Sequence, residues 1–352
     1  RTSDGINAIS LLALPPGDYR LIVRGQNAAS GAYTFRLLDV VGATALPLNS
    51  PVPGVLQPGN ATQLYSFSAA AGDRFTFDSL SVTGGGSAYW RLFDRYGRDV
   101  LQGANNLGLD RAIFSLATAG SYTLVVEGGV ANSAAVNFEF QLNFVDNIAP
   151  APWPAANALT ISDTVFGTLA TTGTSAYYRF TLTDDTILVF DTQTVDSDLT
   201  WSLTGPRTQD NFTNRHLASS DYYQGIDPVL KLVAGDYLLA VNATTGAGAY
   251  AFRLLDPAAF PVITTEQPAS TTRSGSATVG FRFNAAAGDT WLLSGQAGSG
   301  RIRIVDPFGV TVYAEYHSTN RQHTFSTQVA GTYTILNEGS TSDTAPAVFD
   351  IQ

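Results

Sequence analysis

The chain has no cysteine and no methionine. Without thiols there is no disulfide framework and no thiolate zinc centre, and folding gains nothing from an oxidising compartment. Without methionine Arg1 is not a translation start, so the expectation is a processed product or a piece of something longer. Charge is scarce as well: 14% of residues are charged, and Lys231 is the only lysine. The net charge of −10 leaves no basic footprint for nucleic acid. It also disfavours an anionic membrane surface. No run of about 18 apolar residues occurs, so no membrane-spanning helix is expected. A signal peptide is not visible and would lie upstream.

What fills the chain instead is a motif that recurs. PPGDYRLIVRG (15–25), TAGSYTLVVEG (118–128), VAGDYLLAVNA (233–243) and VAGTYTILNEG (329–339) share a glycine two residues before an aromatic-led apolar alternation. A second element follows each copy: SGAYTFRLLD (30–39), AAVNFEFQLNF (134–144), AGAYAFRLLD (247–256) and APAVFDIQ (345–352). The period is roughly 100 residues, one small domain per copy rather than a solenoid unit. Within the first element Tyr19, Leu21 and Val23 share one side while Arg20 and Arg24 share the other. Alternation with period two marks half-buried antiparallel strands, so each pair of elements reads as a closing β-hairpin. Gly17, Gly120, Gly235 and Gly331 stand where the chain turns sharply into a strand and positive φ is needed. Asp18 and Asp236 read as turn residues beside them.

The opening half of each unit has its own signature. LYSFSAAAGDRFTFD (64–78), YYRFTLTDDTILVFD (177–191) and GFRFNAAAGDTWLLS (280–294) superpose, and a middle strand with a tight turn follows each. No amphipathic helix is found. Proline-rich stretches at 46–54, 148–156 and 256–262 mark the boundaries. The expected architecture is all-β: tandem jelly-roll-like antiparallel sandwiches over 41–145, 146–256 and 257–352. Residues 1–40 would be the C-terminal half of a further, truncated sandwich.

In their order these signatures resemble the bacterial pre-peptidase C-terminal domain. GVLQPGNATQLYSFSAAAGDRFTF (54–77), FDRYGRDV (93–100), AGSYTLVVEG (119–128) and FEFQLNF (138–144) carry the likeness in the first full unit. GTLATTGTSAYYRFTL (167–182), AGDYLLAV (234–241) and AYAFRLLD (249–256) carry it in the second; FRFNAAAGD (281–289), VDPFGV (305–310) and AGTYTI (330–335) carry it in the third. The resemblance implies a compact jelly-roll-like sandwich appended to secreted enzymes or strung along large surface proteins, some members binding calcium or fibrous substrates. The second unit departs from the pattern, with TDDT (183–186) in place of A-G-D and an insertion over 205–228.

Catalytic chemistry is not visible. There is no H-E-x-x-H, no G-x-S-x-G elbow and no phosphate-cradling loop. His317 and His323 flank a polar S-T-N turn and read as surface-loop residues. Carboxylates are the remaining chemistry. Asp184, Asp185, Asp196 and Asp198 in the second unit are candidate Ca²⁺ ligands, because calcium takes six to eight oxygens that clustered loop acids can supply. Asp221, Tyr222 and Tyr223, in the insertion, are candidates for an exposed binding loop. Trp201 and Trp291 read as core. The expected function is a non-catalytic extracellular or cell-surface repeat segment of a bacterial protein, acting in structure, assembly or adhesion. The alternative is a substrate- or calcium-binding accessory region of a secreted hydrolase. Expected partners are neighbouring copies or upstream repeats, with polysaccharide or a surface protein as further candidates. A lone hairpin is marginal in water. Residues 1–40 are therefore expected to be ordered only inside a sandwich completed from upstream or by a neighbouring molecule, the latter building a filament by strand complementation.

Overall fold

The structure, a computed structural model, describes residues 11–351 except 13, 15–18, 25–29, 207–210, 220, 222–226, 265–266, 298–299 and 319–320. Its contacts divide the chain into two compact units, Arg1–Pro152 and Trp153–Gln352. The first unit holds one sandwich and the second unit holds two.

In the first sandwich the strands are β1 (Thr44–Ala45), β2 (Val52–Leu56), β3 (Thr62–Ala69), β4 (Asp73–Gly84), β5 (Ala88–Asp94), β6 (Asn105–Asn106), β7 (Arg111–Ser115), β8 (Gly120–Gly128) and β9 (Val136–Asn147). They form one sheet in the order β1-β3-β8-β5-β6 and a second in the order β2-β9-β4-β7. From β2 to β5 and again from β6 to β9 each connection carries the chain across to the opposite sheet, as in a jelly roll. The second sandwich repeats the order strand for strand. It has β10 (Asn157–Ala158), β11 (Val165–Leu169), β12 (Ser175–Leu182), β13 (Thr186–Thr192), β14 (Leu199–Thr204), β15 (Phe212–His216), β16 (Val229–Leu232), β17 (Gly235–Ala243) and β18 (Gly248–Leu255). Its sheets run β10-β12-β17-β14-β15 and β11-β18-β13-β16. In the third sandwich a single bridge, Val262 to Arg282, stands where the short first strand was. Then come β19 (Ala269–Arg273), β20 (Val279–Ala285), β21 (Thr290–Ala297), β22 (Gly300–Val305), β23 (Thr311–His317), β24 (Gln322–Ser326), β25 (Gly331–Glu338) and β26 (Ala347–Ile351). These give β20-β25-β22-β23 and β19-β26-β21-β24. The all-β sandwich reading of the sequence is what the structure shows.

Alternation explains each core. In β8, Tyr122, Leu124 and Val126 point inward and are buried, as are Tyr237, Leu239 and Val241 in β17. Stacked rings fill the centre: Trp90 lies on Phe77 at 4.2 Å, and Trp201 on Phe190 at 3.9 Å. Trp291 is only half-buried but packs against the third core through Phe283.

The recurring G-x-Y has a concrete job. Gly120, Gly235 and Gly331 take φ of 141°, 147° and 143°, a region almost closed to side-chain-bearing residues. The tyrosine that follows then donates its hydroxyl to the carbonyl four residues upstream. Tyr122 reaches Thr118 at 2.6 Å, Tyr237 reaches Val233 at 2.8 Å and Tyr333 reaches Val329 at 2.9 Å. This tyrosine corner fixes where the closing strand starts. Asp236 serves differently from its expected turn role, accepting from Thr181 Oγ1 on the neighbouring strand at 2.6 Å; Asp18 lies outside the described residues.

In the first 40 residues, expected to be ordered only inside a completed sandwich, the described residues form no hairpin. Residues 19–24 and 30–39 belong to no strand. Tyr33, Phe35 and Leu37 are 67%, 50% and 71% exposed, whereas their counterparts Tyr250, Phe252 and Leu254 are 5%, 0% and 0% exposed. The reason is topological. Among the described residues each sandwich already contains its own closing pair, β8–β9, β17–β18 or β25–β26, so no vacant slot remains.

Two substitutions test the corner. Gly331→Ala puts a Cβ 2.6 Å from Pro307 on a forbidden φ, and is expected to cost about 1–3 kcal/mol. Tyr122→Phe removes the hydroxyl's two hydrogen bonds, to the Thr118 carbonyl and Oγ1, and should cost about 1–2 kcal/mol. Chemical denaturation measures both, and a neutral Gly331→Ala would mean that the turn is not obligatory.

Candidate functional sites and the junction between sandwiches

The four aspartates proposed for calcium do not meet. Asp184 and Asp185 precede β13 and Asp196 and Asp198 follow it, so the two pairs lie roughly 20 Å apart at a rise of about 3.3 Å per residue. Each carboxylate also has local work. Asp184 accepts from Thr183 Oγ1 at 3.0 Å, and Asp185 from the Ala234 amide at 2.9 Å. Asp196 accepts from the Asp198 amide at 2.8 Å, and Asp198 from Thr245 Oγ1 at 2.6 Å. Among the described residues no three His, Asp or Glu side chains are grouped to hold a metal. The strand between the pairs, invisible to a count of nearby acids, corrects the calcium reading. Melting in excess calcium and in chelator should superimpose; a rise of a few degrees with calcium would restore a site.

Asp221 is not on an exposed loop. It is fully buried and accepts from the Thr192 amide at 3.0 Å, closing off the end of β13. Tyr222 and Tyr223 lie outside the described residues.

The histidines reverse their sequence reading. A turn does follow His317, with the Arg321 amide bonded to the Ser318 carbonyl, yet His317 and His323 are 4% and 1% exposed. The turn carries the chain from β23 in one sheet to β24 in the other, so both rings enter the core from opposite sides. His317 Nδ1 lies 3.0 Å from His323 Nε2, and His323 Nδ1 lies 2.8 Å from the Tyr313 hydroxyl. Burial pushes His323 down to about 4, helped by His317 and Arg321 and opposed by Glu315. The unfolded chain therefore takes up a proton near pH 6.5 that the folded sandwich refuses until about pH 4. Stability of the third sandwich should fall as pH drops through that window. Urea midpoints near pH 7.5 and near pH 4.5 measure the loss. An equal loss in His323→Gln would assign it to other groups.

A buried polar construction joins the second and third sandwiches. On β13, Leu188 and Phe190 face the core while Val189 faces outward; on β22 and β25, Ile304 and Ile335 face the core while Val305 and Leu336 face outward. Val189 and Leu255 from the second sandwich pack with Val305 and Leu336 from the third, flanked by Val229 and Phe260, in a small core of their own. Two buried carboxylates frame it. Asp191 accepts from the Thr278 amide at 3.0 Å and from Arg253 Nε at 2.7 Å, and Arg253 donates onward to the Thr278 carbonyl at 3.1 Å. Glu338 pairs with Arg303, Oε2 accepting at 3.2 Å, while Asp227 lies 3.6 Å from Arg303 and accepts from Thr311. Burial raises both Asp191 and Glu338 above the usual carboxylate range, and their arginine partners pull them back. Paired charges at this depth avoid the heavy cost of an unpaired one. The linker is short: Asp256 caps a 3-10 turn, Pro257–Ala259, and the Ile263 amide bonds to the Arg282 carbonyl.

No protein-family model matches the chain. No curated protein matches it either. Among solved structures, the protein Lac15 from a marine microbial metagenome is 10% identical, with 81% of this chain and 84% of that one covered and a TM-score of 0.16. A chain in the atomic structure of Sulfolobus Turreted Icosahedral Virus is 11% identical over 87% and 83%, with a TM-score of 0.14. Neither score reaches a shared overall fold, so neither bears on what this chain does.

Proposed function

We propose that the chain is a non-catalytic segment of an array of pre-peptidase C-terminal-like sandwiches in a large bacterial secreted or surface protein, serving structure, assembly or adhesion. The observation that carries this reading is the strand order, repeated in three sandwiches, with the closing motif written a fourth time at residues 19–38. Among the described residues, Asp184, Asp185, Asp196, Asp198 and Asp221 hold turns and strand ends, and Asp191, Asp227 and Glu338 hold the junction described above. Low charge and a chain rich in Gly, Ser, Thr and Asn agree with an extracellular setting. Assembly through strand complementation needs an acceptor outside the described residues, because each sandwich here is already closed.

Pulling the chain by its ends tests the array reading. Each unit of about 100 residues should release about 330–360 Å of contour length when it unfolds. Regular steps of this size would support a serial arrangement. A single cooperative rupture of the whole chain would refute it.

A further inference from the structure

The junction between the second and third sandwiches has a signature, and half of that signature recurs in the first. This inference rests on the array reading and specifies one of its contacts. The sequence RLLD at 253–256 leads into that junction, and RLLD recurs at 36–39. In both places the aspartate caps a 3-10 turn, Asp256 accepting from the Ala258 amide at 2.8 Å and Asp39 from the Val41 amide at 3.0 Å. Seven residues on, the chain docks on the next sheet in the same way: the Leu46 amide bonds to the Ser66 carbonyl at 2.7 Å, as Ile263 does to Arg282 at 2.7 Å.

The receiving face recurs too. Register places Arg91, Phe93, Val125 and Glu127 of the first sandwich where the third has Arg303, Val305, Leu336 and Glu338. Arg91 Nε donates to Glu127 at 2.7 Å, the same pairing as Arg303 with Glu338. Phe93 and Val125 are buried yet stand outside the core cluster that takes their neighbours Leu92, Leu124 and Val126. The second sandwich follows a longer, proline-rich linker and has Ser202, Thr204, Ala240 and Asn242 at these positions. Short linker and Arg–Glu face thus occur together or not at all. A groove of about 440 Å³ opens beside the linker, lined by Leu38, Asp39 and Thr62 among others. Thr62 is the counterpart of Thr278, the residue that Asp191 and Arg253 grip in the intact junction.

We propose that this outer face of the first sandwich is the receiving half of a sandwich–sandwich junction. Its occupant is the β-sandwich whose closing strands are residues 19–24 and 30–38, seated as the second sandwich is seated on the third. Leu38 then takes the place of Leu255 against Val125, and Arg36 that of Arg253 beside Thr62.

The test supplies the missing strands. A copy of residues 153–219, which spans β10 to β15, is placed ahead of the intact chain. The natural absence of cysteine allows two disulfide traps: Leu38→Cys with Val125→Cys, and Leu255→Cys with Leu336→Cys as the reference. Exchange protection of residues 19–24 and 30–38, with both disulfides forming, is the expected result. Protection with only the reference disulfide would overturn the junction and leave the array reading standing. No protection would overturn both. A second measurement does not depend on the graft. Phe93 is already only 2% exposed in the unextended chain, so Phe93→Ser should lower the melting of the first sandwich, but by clearly less than Leu124→Ala. An equal loss from both would make Phe93 part of the core and remove the face.

Discussion

Everything in this fold depends on where the last two strands of each unit go. β8 lies between β3 and β5 in one sheet, and β9 lies between β2 and β4 in the other. The closing pair is therefore the middle of both sheets, not a finishing edge. Until it arrives the earlier strands have no partners across the gap, and the inward faces of both sheets lack their central rows. The reverse holds as well. A closing pair without its sandwich has two apolar faces and nowhere to bury them, which is the state of Tyr33, Phe35 and Leu37. The glycine and the tyrosine corner are fixed because they aim this central strand, and an error in its entry would displace rows in both sheets.

Much of this was legible in the sequence because it is written in local terms. Period-two alternation gave the strands, and the positive-φ glycines marked entry into the closing pair. The repetition of both gave the sandwiches. What was not legible depends on which strands become neighbours in space. His317 and His323 are six residues apart across a polar turn, a pattern that normally marks a surface. They are buried because that turn changes sheets. Asp184, Asp185, Asp196 and Asp198 crowd in sequence but are held apart by the length of β13. Asp221 sits in a polar insertion but is drawn inward by an unpaired backbone amide at the end of a strand. In each case the sheet assignment overrode the chain-local signal.

The outer faces obey a different rule from the inner ones. Inner positions are apolar in all three sandwiches, because each must bury a core. Outer positions are polar in the second sandwich, as with Ser202 and Asn242, and are apolar with an embedded Arg–Glu pair in the third, where the second sandwich covers them. An outward Val or Phe on a jelly roll is thus informative in a way that an inward one is not. The buried ion pair adds orientation: apolar contact tolerates sliding, whereas a guanidinium paired with one carboxylate and approached by another accepts few registers.

Linker and face chemistry belong together for a physical reason. A seven-residue connection with an aspartate-capped turn leaves little freedom, so the two sandwiches it joins meet in one pose and matched faces can form. A longer connection does not by itself impose one pose, so an apolar outer face there would stay in contact with water for lack of a matched partner. Polar outer faces then carry the lower free energy. The alternation between the two linker types along this chain follows from that balance, and it lets the character of each connection be read from the residues of the sheet that follows it.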